Sequence, residues 1–189
     1  MRKYLLPVLI ISFVFFPTPA IQAASDVEAT IDEGKQAVGE NPDDTAVHFD
    51  RGVEHLRSGM YKEAIESLKQ VVRINPDAVS HYNLGFVYDR TGRYKEAIEV
   101  YKRAIFINPD YIDAYNKLGN AYGELGMYKE AVETLKVAIE RDPEHAMSYY
   151  NLGLIYNSSN DKDSAMEQHE ILNGLNFDLA EKLFELIRK

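Results

Sequence analysis

One spacing recurs along most of this chain. Four prolines, at positions 42, 76, 109 and 143, follow one another at intervals of 34, 33 and 34 residues. The same step separates four glycines and four alanines, which are Gly52, Gly85, Gly119 and Gly153, and Ala64, Ala97, Ala131 and Ala165. Because three residue types share one period, this part of the chain consists of tandem copies of one unit. Such units bury their apolar faces against their neighbours, so the period predicts an array of stacked units.

The pattern inside each unit predicts two helices. Each unit has two stretches in which apolar residues recur every three or four positions, as in a helix with one buried stripe. The breaks between the stretches are Ser58-Gly59, Thr91-Gly92, Leu125-Gly126 and Ser159-Asn160. Gly and Asn tolerate the left-handed conformation that ends a helix. The recurring Gly and Ala have little bulk, so we expect the two helices to approach closely there.

Two short motifs also recur with this period. Tyr-Lys-Glu-Ala-Ile-Glu begins at Tyr61 and Tyr94, and Tyr-Lys-Glu-Ala-Val-Glu begins at Tyr128. Leu-Gly-x-x-Tyr begins at Leu84, Leu118 and Leu152. In period and motif, residues 45–179 resemble the tetratricopeptide repeat (TPR) family. The resemblance implies an all-α fold, a right-handed α-solenoid of stacked antiparallel helix pairs.

The repeat boundaries divide the chain into seven parts. We expect an export signal at 1–23, a partial repeat or capping helix at 24–44, four units at 45–77, 78–111, 112–145 and 146–177, and a capping helix at 178–189. The second helix of the fourth unit is degenerate in sequence. The last segment is amphipathic, with an apolar stripe of Leu179, Leu183, Leu186 and Ile187. The single step of 33 residues predicts a shortened turn or a slight rotation at the start of the second unit.

The first 23 residues have the features of an export signal. Arg2 and Lys3 precede an apolar run that ends at Pro17, and small residues follow at Ala20 and Ala23. The alternative is an uncleaved anchor, because the uncharged stretch 4–25 is long enough to span a bilayer. Both interpretations predict an exported protein, periplasmic or secreted in a bacterium. Cleavage after Ala23 leaves 19 Lys and Arg against 30 Asp and Glu, a net charge of −11.

Composition and missing motifs exclude several kinds of chemistry. The absence of cysteine excludes a thiol nucleophile and a Cys-ligated zinc site. A net charge of −9 argues against general nucleic-acid binding, which needs a basic face. The chain has no phosphate loop, no dinucleotide-binding glycine motif and no nucleophile elbow. We therefore predict a protein that is not an enzyme and needs no cofactor or metal; an enzyme that uses His48 and His55 is a remote alternative.

The candidate site is a surface. In TPR proteins the first helix of each pair lines a concave groove, and the resemblance places a set of residues there. They are Phe49, Val53 and Arg57 in unit one, Tyr82, Asn83, Phe86 and Arg90 in unit two, Asn116, Lys117 and Asn120 in unit three, and Tyr150, Asn151, Leu154 and Asn157 in unit four. The same rows include Asp89 and Glu124. The apolar members suit partner side chains, and the Asn members suit the backbone of an extended peptide.

Two observations limit what this groove can bind and which residues line it. Some TPR domains grip a C-terminal carboxylate with Lys, Arg and Asn, but Phe49 and Val53 stand here where that clamp has Lys and Asn. The resemblance therefore implies a different ligand. Phe49 and Tyr82 also have a structural alternative, packing between units. Twelve of the thirteen tyrosines lie between residues 61 and 156, and we assign most of them to the core.

These observations predict a non-enzymatic scaffold of the cell envelope that binds a protein or peptide in its groove. No nucleic acid is expected as a partner, and no membrane insertion is expected if the signal is cleaved. The alternative is a structural or self-associating subunit of an envelope assembly, which would use the capping helix or the convex face. The apolar stripe of the last segment motivates this alternative.

Overall fold

The computed structural model describes residues 42–189, with side chains from Thr45 onward. This part of the chain forms nine α-helices and no strand. The helices are α1 (Pro42–Arg57), α2 (Tyr61–Ile74), α3 (Ala78–Arg90), α4 (Tyr94–Ile107), α5 (Ile112–Glu124), α6 (Tyr128–Arg141), α7 (Ala146–Ser158), α8 (Lys162–Leu175) and α9 (Phe177–Ile187). The predicted export signal at 1–23 and most of the predicted partial repeat at 24–44 lie outside the described residues.

The helices stack in chain order. Each first helix (α1, α3, α5, α7) packs on the second helix of its own unit, and each second helix packs on the next first helix. First helices of neighbouring units also meet, α3 with α5 and α5 with α7. The predicted α-solenoid of helix pairs is confirmed. Although its sequence departs from the pattern, α8 is as long as α2, α4 and α6, at 14 residues.

The turns inside the units have the backbone conformation that the sequence predicts. Gly59, Gly92 and Gly126 each have φ of 71°, and Asn160 at the fourth turn has φ of 64°. This left-handed conformation is costly for most residues, and Gly and Asn adopt it most readily. The prediction is confirmed, and it explains how one short turn geometry serves all four units.

Close helix contact depends on the recurring glycines and alanines. A Cβ atom added at Gly85 would lie 2.6 Å from the ring of Tyr101, and one at Gly119 would lie 2.6 Å from Leu135. The four repeated alanines, at positions 64, 97, 131 and 165, are fully buried. A larger residue at either kind of position would push the two helices of the unit apart.

The 33-residue step shortens one turn. Three residues, 75–77, join α2 to α3, whereas four residues join α4 to α5 and α6 to α7. Asp77 ends the short connection, and its carboxylate accepts a hydrogen bond of 2.7 Å from the backbone N–H of Ser80. The shorter repeat therefore lacks one residue in the turn and not in either helix. This confirms the shortened turn, one of the two predicted outcomes.

The last two helices close the array. Leu183 and Ile187 of α9 form a small core with Ala165 and Leu172 of α8, so the last helix packs mainly inward. Leu186 is the exposed member of the predicted stripe. Within residues 42–189, no helix combines the length and apolar character that crossing a bilayer requires.

Candidate functional site

A cleft of about 760 Å³ lies at the carboxyl ends of three first helices. Units two, three and four all contribute to it. The lining residues are Asp89 and Arg90 of α3, Tyr94 of α4, Asn120, Gly123 and Glu124 of α5, Tyr128 of α6, and Leu154, Ile155 and Ser158 of α7. The cleft, called the three-unit cleft below, therefore exists only because the units are stacked.

Two aliphatic side chains and a glycine line the α5–α7 side of the three-unit cleft. Leu154 and Ile155 contribute aliphatic surface, and Gly123 contributes none beyond its backbone. Asp89 and Asn157 occupy the repeat positions that match Gly123 in the units on either side. A Cβ atom at Gly123 would run into the end of the Ile155 side chain. The glycine therefore gives the cleft its depth beside α7.

The wall on the α3 side carries a largely desolvated carboxylate. Burial raises the pKa of Asp89 from 3.8 to about 6, and the charge of Glu124 adds to this effect. Lys117 and Arg90 act in the opposite direction but do not offset burial. No hydrogen bond from the described residues contributes to this pKa. Perturbed carboxyl groups in clefts mark candidate functional sites, because isolated charges are costly to desolvate.

Two tyrosines stand beside the carboxylates. Tyr94 and Tyr128 each begin the second helix of a unit and are half-buried. Burial raises the pKa of Tyr94, and the charges of Glu124 and Asp89 and a hydrogen bond to Glu124 raise it further. The cleft is thus lined by aliphatic side chains, aromatic side chains and two carboxylates.

The fourteen predicted groove residues divide into two classes. Six are buried, with no more than 6 % of each side chain exposed: Phe49, Tyr82, Asn83, Phe86, Asn116 and Asn151. The other eight are accessible or partly so: Val53, Arg57, Arg90, Lys117, Asn120, Tyr150, Leu154 and Asn157. Arg90, Asn120 and Leu154 line the three-unit cleft. Lys117 lies over the buried ring of Phe86, with 5.4 Å from Nζ to the ring centroid.

Two of the buried asparagines form a hydrogen bond with each other. The Asn151 amide donates to the Asn116 carbonyl oxygen at 3.2 Å, and the Asn116 amide donates to Ser148 Oγ at 3.0 Å. These three side chains join α5 to α7. In unit two, Ser80 and Asn83 stand at the same repeat positions as Ser148 and Asn151. Their polar side-chain atoms have no hydrogen-bond partner among the described residues.

The difference between the two Ser–Asn pairs is explained by one residue in the unit before each pair. Asn116 supplies the polar partner for Ser148 and Asn151, whereas Phe49 stands at its repeat position in unit one. Phe49 is buried and has no hydrogen-bonding side-chain group. Side-chain hydrogen bonds therefore join units three and four, whereas the side chains of Ser80 and Asn83 find no such partner among the described residues of unit one.

One arrangement near this seam has the residue types of a hydrolase. Ser148 Oγ lies 3.0 Å from His145 Nδ1, and His145 Nε2 lies 4.0 Å from Asp113 Oδ1. Ser148 is fully buried, however, and its hydroxyl accepts from Asn116. A nucleophile must reach its substrate, so this cluster joins two helices and does not present a catalytic serine. His55, one of the two histidines of the remote enzyme alternative, lies 3.4 Å from Ser67 Oγ.

Sequence comparison decides the family. Models described as TPR repeat and tetratricopeptide repeat match residues 52–92, 89–126, 112–145 and 134–168. The matches together run without a gap from residue 52 to residue 168.

This chain is a tetratricopeptide repeat protein.

Solved structures of other TPR proteins share the fold. The crystal structure of MamA matches with a TM-score of 0.61 and 26% identity, over 90% of this chain and 97% of MamA. YrrB, described as a TPR protein with an unusual peptide-binding site, matches with a TM-score of 0.65 and 22% identity, over 88% of this chain and 87% of YrrB. The second TPR domain of human RPAP3, solved with an HSP70 peptide, has a TM-score of 0.56 and 24% identity, over 59% and 94%. No curated protein matches in sequence.

Several lining residues of this TPR protein were not in the predicted groove set. Tyr94 and Tyr128 open the recurring Tyr-Lys-Glu-Ala motif, but their aromatic character favoured the core. Gly123 and Ile155 lie between predicted groove positions, and Ser158 lies one position beyond Asn157. The repeat register could have identified Ser158, because it continues the row of Arg57, Arg90 and Glu124.

Proposed function

We propose that this TPR protein is a non-enzymatic scaffold that binds an extended segment of a partner protein in the three-unit cleft. The observation that carries the proposal is a single volume of about 760 Å³ bounded by units two, three and four. A ligand seated there contacts three repeats at once. Its affinity therefore depends on the assembled array and not on any one helix pair.

The chemistry of the lining supports a peptide ligand. Asn120 has both a donor and an acceptor, which suits a backbone amide, and Leu154 offers an apolar contact. The volume of the cleft lies within the range of known ligand sites. YrrB is described with a peptide-binding site and the RPAP3 domain with a bound peptide, which supports the capacity of this fold to hold one.

We extend the proposal to location. The signal-like features of residues 1–23 support export to the periplasm or beyond, with an N-terminal anchor as the alternative. Intact mass measurement of the protein recovered from the envelope fraction tests this directly. A chain beginning near residue 24 supports cleavage, an intact N-terminus in the membrane fraction supports the anchor, and recovery from the cytoplasm contradicts both.

The test of the binding function compares three versions of the full chain as bait in extracts of its own cells. The first is wild type. The second, Asn120→Ala/Ser158→Trp, removes an amide and fills the cleft from an exposed position. The third, Glu167→Gln/Glu181→Gln, changes two exposed carboxylates on α8 and α9 and serves as control. We expect the partner to be retained by wild type and control and lost from the cleft variant, with direct binding confirmed by calorimetry.

A partner that binds the cleft variant as tightly as wild type would remove the cleft from the proposal. Circular dichroism of the variant must show the wild-type helix content, because loss of folding would imitate loss of binding.

One observation favours self-association as a second candidate. Phe106 is 79 % exposed at the end of α4, and Phe177 is 63 % exposed at the start of α9. Aromatic residues, including Phe, are enriched at contact surfaces between proteins. Sedimentation velocity at micromolar concentration tests the idea: an oligomer that Phe106→Gln/Phe177→Gln converts to monomer supports it, and a wild-type monomer eliminates it.

A further inference from the structure

The carboxylate of Asp89 in the three-unit cleft lacks a paired cation among the described residues. Burial and the charge of Glu124 together raise the pKa of Asp89 more than Lys117 and Arg90 lower it. Lys117 is already placed over the ring of Phe86, and Arg90 is exposed at the rim. Neither cation forms an ion pair with Asp89 among the described residues. A cation supplied from outside would therefore meet an unpaired acceptor.

A second carboxylate faces the same volume from the next unit. Glu124 is exposed and lines the cleft from α5, and its charge is felt by both Asp89 and Tyr94. Two carboxylates on neighbouring helices suit a group with several N–H donors, since one donor group can bond both.

The remaining lining suits the stem of the same ligand. Lys and Arg carry a long apolar stem below a charged head, and they bury the stem on apolar surface while the head reaches polar groups. Leu154 and Ile155 provide such a surface, and Gly123 leaves space beside them. Tyr94 and Tyr128 add aromatic surface, which attracts cations when they lie over the ring face.

From this combination we propose that the three-unit cleft selects partner segments that carry a lysine or arginine, whose head pairs with Asp89 and Glu124 while its stem lies over Leu154 and Gly123. The proposal rests on the proposed function, since it names the ligand chemistry of the same cleft. The acidic balance of the whole chain, −9 in total, attracts basic segments as they approach. An acidic segment meets two carboxylates instead and is rejected.

The test begins with a random peptide library displayed on phage. It is panned on wild type, on Asp89→Asn/Glu124→Gln, on the filled variant Asn120→Ala/Ser158→Trp and on the control Glu167→Gln/Glu181→Gln. Peptides that bind wild type and control but not the filled variant are cleft ligands. We expect these cleft ligands to be enriched in Lys or Arg at one position, and we expect that enrichment to disappear on Asp89→Asn/Glu124→Gln.

Synthetic peptides then measure the coupling. For a selected peptide, replacing its Lys or Arg by Gln should weaken binding to wild type by about tenfold or more, the size expected for a charge-assisted pair. The same replacement should change binding to Asp89→Asn/Glu124→Gln by less than about twofold. The two neutral substitutions remove charge from a cleft wall without removing volume, and thermal unfolding verifies that the variant folds.

Each outcome separates this inference from the proposed function. Cleft ligands with no Lys or Arg preference, or with a preference that survives Asp89→Asn/Glu124→Gln, overturn the inference and leave the cleft as a peptide site. If no selected peptide depends on the cleft, both proposals fail together.

Discussion

The side-chain amide of Asn151 on α7 donates a hydrogen bond of 3.2 Å to the carbonyl oxygen of Asn116 on α5. Both residues are nearly fully buried. Residues that resembled ligand contacts thus bind the first helices of units three and four to each other. The three-unit cleft opens beside this seam and depends on the separation that it sets.

Removing Asn116 should therefore weaken the array. Asn116→Ala leaves the buried Asn151 amide without its acceptor, which costs desolvation without compensation, and it removes one of the two partners of Ser148 Oγ. We expect a loss of about 1–3 kcal/mol in the free energy of unfolding, seen as a lower urea midpoint. Asn173→Ala, at an exposed position on α8, is the control and should change stability by less than about 0.5 kcal/mol. Equal losses in the two variants would contradict the role of the seam.

One serine substitution should have opposite effects at two equivalent positions. Ser80 Oγ is buried without a partner, so Ser80→Ala removes an unsatisfied group and should stabilise the fold by about 1 kcal/mol. Ser148→Ala removes the acceptor of Asn116 and should destabilise it by a similar amount. Ala114 already occupies this repeat position in unit three. Chemical denaturation of both variants measures the difference, and changes of the same sign would refute the explanation.

Two glycines should respond in opposite ways to an added methyl group. At Gly85 the new Cβ would lie 2.6 Å from the ring of Tyr101, which is rigid and fully buried. We expect Gly85→Ala to cost about 1–3 kcal/mol through overpacking. Gly174 lies in α8 with no atom near the added Cβ, so Gly174→Ala should gain up to about 1 kcal/mol from helix propensity. Melting temperatures of the two variants should shift in opposite directions.

Asp89 makes stability depend on pH in a defined direction. Its pKa is raised from 3.8 to about 6 on folding, so between these values the folded chain holds a proton that the unfolded chain has released. The contribution of Asp89 to stability therefore falls as pH rises from about 4 to 6, and the cost persists at pH 7. The nearby charged groups are Lys117, Glu124 and Arg90, and Tyr94 and Tyr101 face it from α4.

Asp89→Asn should remove this cost. At pH 7 we expect a gain of about 1–3 kcal/mol, from 1.36 kcal/mol per unit of pKa, and the gain should fade as pH falls toward 4. Urea unfolding at a series of pH values measures it, with Glu167→Gln as an exposed control that should show no such trend. A gain that does not change with pH would mean that Asp89 is not desolvated in the fold. A stabilising substitution that also abolishes basic-peptide selection would show that the carboxylate is kept for binding.

The sequence predicted the helices and turns well and the groove only in part. The glycines in the turns and the 33-residue step are signals that can be read directly from the sequence. The left-handed turns at Gly59 and Gly92 correspond to the first, and the short connection before α3 corresponds to the second. Which face of a first helix is open depends on packing from three directions. Every residue from Tyr82 to Tyr88 is buried, because α3 packs against α2, α4 and α5. Side-chain type could not separate Phe86, which is covered, from Leu154, which lines the cleft.

The charge state of the cleft was also beyond sequence reasoning. Asp89 and Glu124 lie 35 positions apart, and nothing in either local sequence distinguishes them from other helix carboxylates. Stacking desolvates Asp89 and places it near Glu124, so the perturbation arises from the assembly of units and not from any motif.

Three different repeats form the walls of the three-unit cleft, and this ties its width to the curvature of the solenoid. Each repeat of a solenoid contacts only its neighbours. Small rotations between successive repeats therefore add up along the array and set its curvature. A force that straightens the array would draw α3 away from α7 and release what lies between them. A bound segment would hold the same three units together and make them harder to stretch. Ligand occupancy and the elasticity of the protein would therefore change together, because both depend on the spacing of these units.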